Sequence, residues 1–208
     1  MTDTESTHAS LLLWATLYKL KSLPRTGWVD RGIPATSAES VADHSYFTML
    51  IAWVVAQGDA SLDANRVLQL ALIHDVAEAI AGDIPPYDPN DVPADAQERW
   101  AFFSVQRIRT PENRERKDAI EAAATAEIMA MLPAATQATW QERWEEYGAQ
   151  QTPEAQLVKQ VDRLEAFIQS RLYASQFPEV PVDGFADMAR KAITHPLLIP
   201  IRDAFLAD

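Results

Sequence analysis

The chain has 208 residues, 30 acidic against 18 basic, a formal charge of −12 and a hydrophobic content of 48%. That composition supports one core and argues against wholesale disorder. The acidic field, with no Lys/Arg cluster to counter it, argues against a nucleic-acid partner. A small anionic ligand stays compatible where a few arginines focus positive potential. Cysteine is absent, so neither a disulfide framework nor a thiolate metal site can form. The N-terminus, MTDTESTHAS, is acidic where a secretion signal needs basic residues. The longest apolar run, YFTMLIAWVVA from Tyr46, is too short to span a bilayer. The expectation is a soluble, cytoplasmic protein.

Helical periodicity dominates, with no convincing alternating strand. Residues 9–23 read as an amphipathic helix that Pro24 and Gly27 break. A loop through Gly32 and Pro34 leads to Ser40, where S-V-A-D has the form of a capping box opening a helix through His44 to about Gln57. The next helix is predicted over 65–81, closed by Gly82 as C-cap. Residues 84–95, IPPYDPNDVPAD, hold four prolines and form a loop. Helices follow at about 96–108, 112–131 and 134–147, punctuated by Pro111 and Pro133. Thr152, Pro153 and Glu154 supply an N-cap, a first-turn proline and an acid facing the dipole, and that helix runs to about Ser175. After a loop at 178–184, two short helices flank His195 and Pro196. No repeat, low-complexity tract or linker interrupts the chain, so the fold class expected is all-α, one domain over 1–208.

Several polar residues break this apolar patterning. In LALIHDVAEAIAGD, residues 70–83, the stripe Val67, Leu70, Ala71, His74, Glu78 follows helical spacing and carries His74 inward. Asp75 sits about 100° round the same helix, close enough to converge with His74. His44 lies in line with Phe47/Thr48, Ile51 and Val54/Val55, and Asp162 lies beside Val158, Val161 and Leu164. A lone inward histidine is usually a hydrogen-bonded core residue, and a lone Asp is usually a rim residue. The combination is different, because buried charges are costly unless paired or metal-bound. Two imidazoles and two carboxylates make a four-ligand set for a divalent cation.

His44, the pair His74-Asp75 and the distant Asp162 resemble the H…HD…D signature of the HD-domain metal-dependent phosphohydrolases. PRTGW (24–28), ESVADHSY (39–46), ALIHDVAEAIAGDIPP (71–86) and TPEAQLVKQVDRLEAFIQ (152–169) look like its 5′-deoxynucleotidase branch, the YfbR-like and HD domain-containing protein 2 groups. The resemblance covers about 9–175 and leaves 176–208 as a C-terminal helical extension with no counterpart. It implies an HD-type helical bundle in which His44, His74, Asp75 and Asp162 bind one divalent ion, of Mn, Co, Fe, Ni, Zn or Mg. It further implies that Glu78 is an acid or base at the reacting water, that Asp83 serves substrate and catalysis, and that Arg25 and Trp28 contact the phosphate, with Arg31 a rival for Arg25. Packing for Trp28, loop capping for Asp83 and a salt bridge for Glu78 are the structural alternatives. The segment after Asp83 departs from relatives in having extra acids and no Lys up to Trp100.

Such an ion acidifies water and polarises a phosphoryl oxygen, Arg25 neutralises another oxygen, and phosphoryl transfer then depends on positioning and charge. Only His8 and His195 remain as further imidazoles, near opposite ends, so one metal rather than two is expected. The leading expectation is a 5′-nucleotidase acting on (deoxy)ribonucleoside 5′-monophosphates, as a homodimer with the terminal helices as contacts, without nucleic acid or membrane partners. The alternatives are an HD-type hydrolase of a nucleoside triphosphate, a cyclic or alarmone nucleotide or another phosphate ester, and a non-catalytic helical protein with a structural metal.

Overall fold

A computed structural model describes residues 11–207. Residues 9 and 10 of the first expected helix, and His8, lie outside them. Helix α1 occupies 11–17 and tightens into a 3-10 turn, Tyr18–Lys21. The remaining helices are α2 Thr26–Arg31, α3 Val41–Ala56, α4 Ala64–Ile73, α5 Glu78–Ala81, α6 Ala96–Phe103, α7 Pro111–Met131, α8 Ala134–Ala149, α9 Pro153–Gln176, α10 Asp183–Ala192 and α11 Ile199–Ala207. Among the described residues the only β-type pairing is an isolated bridge between Pro24 and Ser40, and no helix is long and apolar enough to cross a membrane.

The core is where α3, α4 and α9 meet. Val67, Leu70 and Ala71 from α4 pack with Leu157, Val158, Val161 and Leu164 from α9, all fully buried. Each large aliphatic side chain contributes about 1.5–3 kcal/mol by leaving water. The start of α9 is fixed doubly: Thr152 Oγ1 accepts from Ala155 N–H at 3.2 Å, and Glu154 accepts from Asp63 N–H at 3.1 Å, tying α9 to the cap of α4. The capping box of α3 is present, Ser40 Oγ accepting from Asp43 N–H at 3.1 Å and Asp43 Oδ2 accepting from Ser40 N–H at 2.9 Å. Helix α3 buries Val41, His44, Thr48, Ala52 and Ala56. Phe47 and Val54, expected on that face, are exposed.

Three expectations about the elements are corrected. The loop after Pro24 contains the short helix α2, which ends at Gly32 in the left-handed region (φ 107°). The helix predicted at 96–108 ends at Phe103. The helix predicted over 65–81 stops at Ile73 and resumes as α5. The cause of this break is a side chain. His74 Nδ1 bonds Ala71 O at 2.8 Å, the carbonyl that Asp75 N–H would need for the helix to continue. The backbone bonds then shorten to i−3, from Val76 to Ile73 and from Glu78 to Asp75, before Gly82 closes the segment at φ 76°, a conformation that glycine adopts without a Cβ clash.

The C-terminal residues belong to the core rather than standing apart from it. Ala189, Ile193 and Leu198 are fully buried with α9, and Phe185 stacks on Trp28 with ring centroids 4.6 Å apart. The proline-rich segment is packed too. Tyr87 is buried and donates to Asp30 Oδ2 at 3.0 Å.

Candidate metal centre

Three helical segments bring four side chains together. His44 comes from the buried face of α3, His74 and Asp75 from the break after α4, and Asp162 from the middle of α9. His44 Nε2 stands 3.2 Å from Asp162 Oδ1 and 3.6 Å from Asp75 Oδ2, and His74 Nε2 stands 3.2 Å from the same Asp75 oxygen. The two imidazole rings are 5.5 Å apart. His44, His74 and Asp75 have ligand atoms close enough together to share one ion.

The donor set fits a metal on an observation independent of spacing. Both imidazoles are anchored through Nδ1, His74 to Ala71 O and His44 to Glu165 Oε2. That leaves both Nε2 atoms buried, facing carboxylates, and without a hydrogen bond of good geometry. A ring fixed through one nitrogen, presenting the other bare, is how proteins hold a histidine ligand. Electrostatics agree. Burial opposes charge on His44, as does Arg25, yet Asp162 and Glu165 outweigh both and raise its pKa to about 10. A cage that draws a proton onto a buried imidazole also attracts a cation in its place. Burial likewise opposes ionisation of Asp75 and Asp162. His74, Arg25 and His44 outweigh it at Asp75, and Lys159 and His44 do so at Asp162, so both stay ionised well below the usual carboxylate range.

Beside this centre opens a cleft of about 310 Å³, within the usual range for a small-molecule site. Asp75 and Asp162 lie in its wall with Glu78, Asp83, Arg25 and Trp28. Glu78 is buried, its Oε2 has no partner, and burial with the charges of Asp75 and Asp83 pushes its pKa well up. Arg25 caps α2, held by Arg25 N–H to Glu39 O at 2.9 Å. Its guanidinium donates to Asp75 Oδ2 at 3.1 Å and faces Asp83 Oδ2 at 3.8 Å. Asp83 also accepts from Thr26 N–H at 2.6 Å, and its carbonyl accepts from Thr26 Oγ1 at 2.8 Å. It therefore tethers α2 across the cleft while lining it. The Trp28 ring is buried between Tyr173 and Phe185, and its Nε1 donates to Glu39 Oε1 at 2.8 Å. Trp28 is among the residues lining the cleft, but its N–H is committed to Glu39. His195 lies in the loop before α11, its N–H donating to Gln160 Oε1 and its Nδ1 accepting from Leu197 N–H.

Several neighbours escape a reading based on the signature alone. Lys159 donates to Asp162 Oδ2 at 2.9 Å and to Tyr147 Oη at 3.3 Å, and the Tyr147 ring meets His74 edge-on at 5.8 Å. Glu165 supports His44. The signal was present in KQVDRLE, because Lys159, Asp162 and Glu165 repeat every three residues and share a helix face. Two of the four acids between Asp83 and Trp100 cap local turns. Asp88 caps its own 3-10 turn and Asp95 caps α6, whereas Ile84, Pro85, Pro86 and Tyr87 form the cleft wall.

A family model described as HD domain matches residues 17–193. The chain belongs to the HD domain family. The match continues into α10, past the last sequence motif that signals the family. The chain is 34% identical over 185 residues to 5′-deoxynucleotidase HDDC2 of Bos taurus, covering 88% of this chain and 77% of that protein. It is 31% identical over 183 residues to 5′-deoxynucleotidase hdd1 of Schizosaccharomyces pombe, covering 88% and 81%. The HD fold also matches the solved structure of a conserved hypothetical protein from Pyrococcus furiosus, with TM-score 0.69 and 26% identity over 96% of this chain and all of that one. A further fold match is an HD-domain phosphohydrolase from Listeria innocua, with TM-score 0.67 and 21% identity, covering 95% and 90%.

Proposed function

We propose that this HD domain is a metal-dependent 5′-nucleotidase that releases phosphate from (deoxy)ribonucleoside 5′-monophosphates, using one divalent ion held by His44, His74, Asp75 and Asp162. The observation that carries the proposal is the pair of bare, buried Nε2 atoms facing Asp75 and Asp162 beside a cation-lined cleft. The names of the curated relatives supply the substrate class.

The ion, when bound, supplies Lewis-acid charge that acidifies water and polarises a phosphoryl oxygen. The chain supplies the rest. Arg25, pre-set by Asp75 and Asp83, presents a guanidinium to a phosphate oxygen and orients the group for in-line attack. Asp83 holds the Arg25–Thr26 backbone at that distance. Burial beside Asp75 and Asp83 favours the protonated form of Glu78, the form able to give a proton to the departing ribose oxygen. Lys159 offsets the charge of Asp162 and lines the cleft. Trp28 serves as an apolar wall that fixes α2 and Arg25.

Phosphate release from a panel of 2′-deoxynucleoside 5′-monophosphates, with each divalent metal supplied in turn, tests this reading. Turnover should depend on metal and disappear in His74→Ala. Turnover in excess chelator, or turnover surviving that substitution, would overturn it.

A cytoplasmic homodimer is part of the same reading. The lack of cysteine supports the location. The dimer is supported by exposed apolar side chains on the outer face of α3, Tyr46, Phe47, Trp53 and Val54, and on the N-terminal helix, where Leu11, Leu12 and Trp14 fit the terminal-helix contacts expected from the sequence. Light scattering giving the mass of one chain would overturn the dimer.

A further inference from the structure

Six basic side chains line the cleft: Arg25, Arg31, Arg107, Arg109, Lys117 and Lys159. Three are matched by carboxylates, Arg25 by Asp75, Lys117 by Glu121 and Lys159 by Asp162. The other three form no ion pair among the described residues, although the chain holds 30 carboxylates against 18 bases. They lie on the wall built by α2 and the segment between α6 and α7.

Each of the three is positioned by something other than an acid. Arg107 donates through Nε to Phe102 O at 2.5 Å, and its guanidinium lies 3.7 Å from the centre of the Phe102 ring. Arg109 Nη2 donates to Ile84 O at 2.9 Å. Arg31 Nη1 donates to Gly27 O at 2.6 Å, and its guanidinium is clamped between Phe103 at 4.3 Å and Phe185 at 4.6 Å. Its Nε is buried and has no hydrogen-bond partner. Burial lowers the Arg31 pKa to about 10, against the opposing influence of Tyr87 and Asp30, with the positive charge of Arg107 a lesser contribution in the same direction as burial. Guanidiniums held by backbone carbonyls, two of them also against aromatic rings, that keep N–H donors and form no ion pair are suited to bind an anion with two or more oxygens. The scissile phosphate already has Arg25 and the metal centre.

We propose that Arg31, Arg107 and Arg109 bind a second phosphate of the substrate, so that the cleft selects a nucleoside 3′,5′-bisphosphate over a 5′-monophosphate. This rests on the 5′-nucleotidase reading for its scissile group. Water oxygen bonds to the 5′ phosphorus, the P–O5′ bond breaks and O5′ takes a proton. The products are inorganic phosphate and a nucleoside 3′-phosphate.

The test is an affinity ratio, measured by calorimetry with Mn²⁺ supplied on the Glu78→Gln protein to slow turnover. The probes are 2′-deoxyadenosine 3′,5′-bisphosphate, the 5′-diphosphate and the 5′-monophosphate. The bisphosphate should bind roughly tenfold tighter than the monophosphate, the effect of one added charge-assisted contact, even though the overall charge of −12 works against the more anionic ligand. Adding Arg107→Gln and Arg109→Gln should reduce the ratio to within twofold. A purely structural role would weaken both ligands alike and keep the ratio. Near-equal affinities before those substitutions, an advantage that survives them, or tightest binding of the 5′-diphosphate would each overturn the proposal. Phosphate release by the unaltered protein is read separately. Its absence refutes the 5′-nucleotidase reading, whereas the affinity ratio alone decides this one.

Discussion

Replacing Glu165 should perturb the proposed metal centre without removing any of its four candidate ligands. Its carboxylate accepts from His44 Nδ1–H, and both residues are nearly sealed from water, His44 at 0% and Glu165 at 4% exposure. No solvent can take over the bond. Glu165→Ala leaves a buried N–H unpaired, which costs about 1–3 kcal/mol of stability, and frees the ring to rotate. Loss of such an outer partner typically weakens metal binding about 10–100-fold, or roughly 1.4–2.8 kcal/mol. Glu165→Gln keeps an acceptor and the ring orientation and loses only the charge, so its effect should lie between those of the alanine variant and the unaltered protein. Competition against a chelating dye measures the affinities, and thermal melting of metal-stripped protein measures stability. If both variants bind metal as tightly as the unaltered chain, the assignment of His44 as a ligand oriented by Glu165 is wrong.

Three further outcomes are expected. Asp83→Ala removes the acceptor of Thr26 N–H and a neighbour of Arg25, so kcat/KM for a 5′-monophosphate should fall roughly tenfold or more while dye-measured metal affinity holds. Ser40→Ala breaks the capping box of α3 and should cost about 1 kcal/mol, or roughly 2–4 °C in Tm, with metal affinity retained. Gly184→Ala would place a Cβ 2.9 Å from the Val105 carbonyl and 3.0 Å from Phe103 O. Because those are backbone atoms, denaturant unfolding should reveal a loss of about 1–3 kcal/mol.

Much of this architecture was legible because its signals are local. Ser40 with Asp43, and Thr152 with Pro153, declare helix starts through side chains that reach two or three residues. Val158, Val161 and Leu164 declare a buried stripe by period. What escaped depends on contacts between distant segments or on competition for a backbone group. The break at His74 has no Gly or Pro to announce it, because the imidazole captures Ala71 O only when the ring is already turned inward. Helix α2 is short, and its start is held by Asp83, 57 residues away. Helix α3 is apolar on both faces, so periodicity could not say that Thr48 is buried and Phe47 exposed. At the site, His44, His74, Asp75 and Asp162 stood out as polar residues on greasy faces. Glu165 was hidden as an ordinary helix charge, and Arg107 and Arg109 as members of a solvated stretch.

The central claim is a single functional ion in the His44, His74, Asp75 and Asp162 centre. It is tested most directly by titrating metal-stripped protein with Mn²⁺ or Co²⁺ while following phosphate release from 2′-deoxyadenosine 5′-monophosphate and bound metal together. Activity should rise from zero and saturate at one bound ion per chain, and Asp162→Ala should abolish both responses. Full activity before any metal is added, or saturation only at two ions per chain, would contradict it.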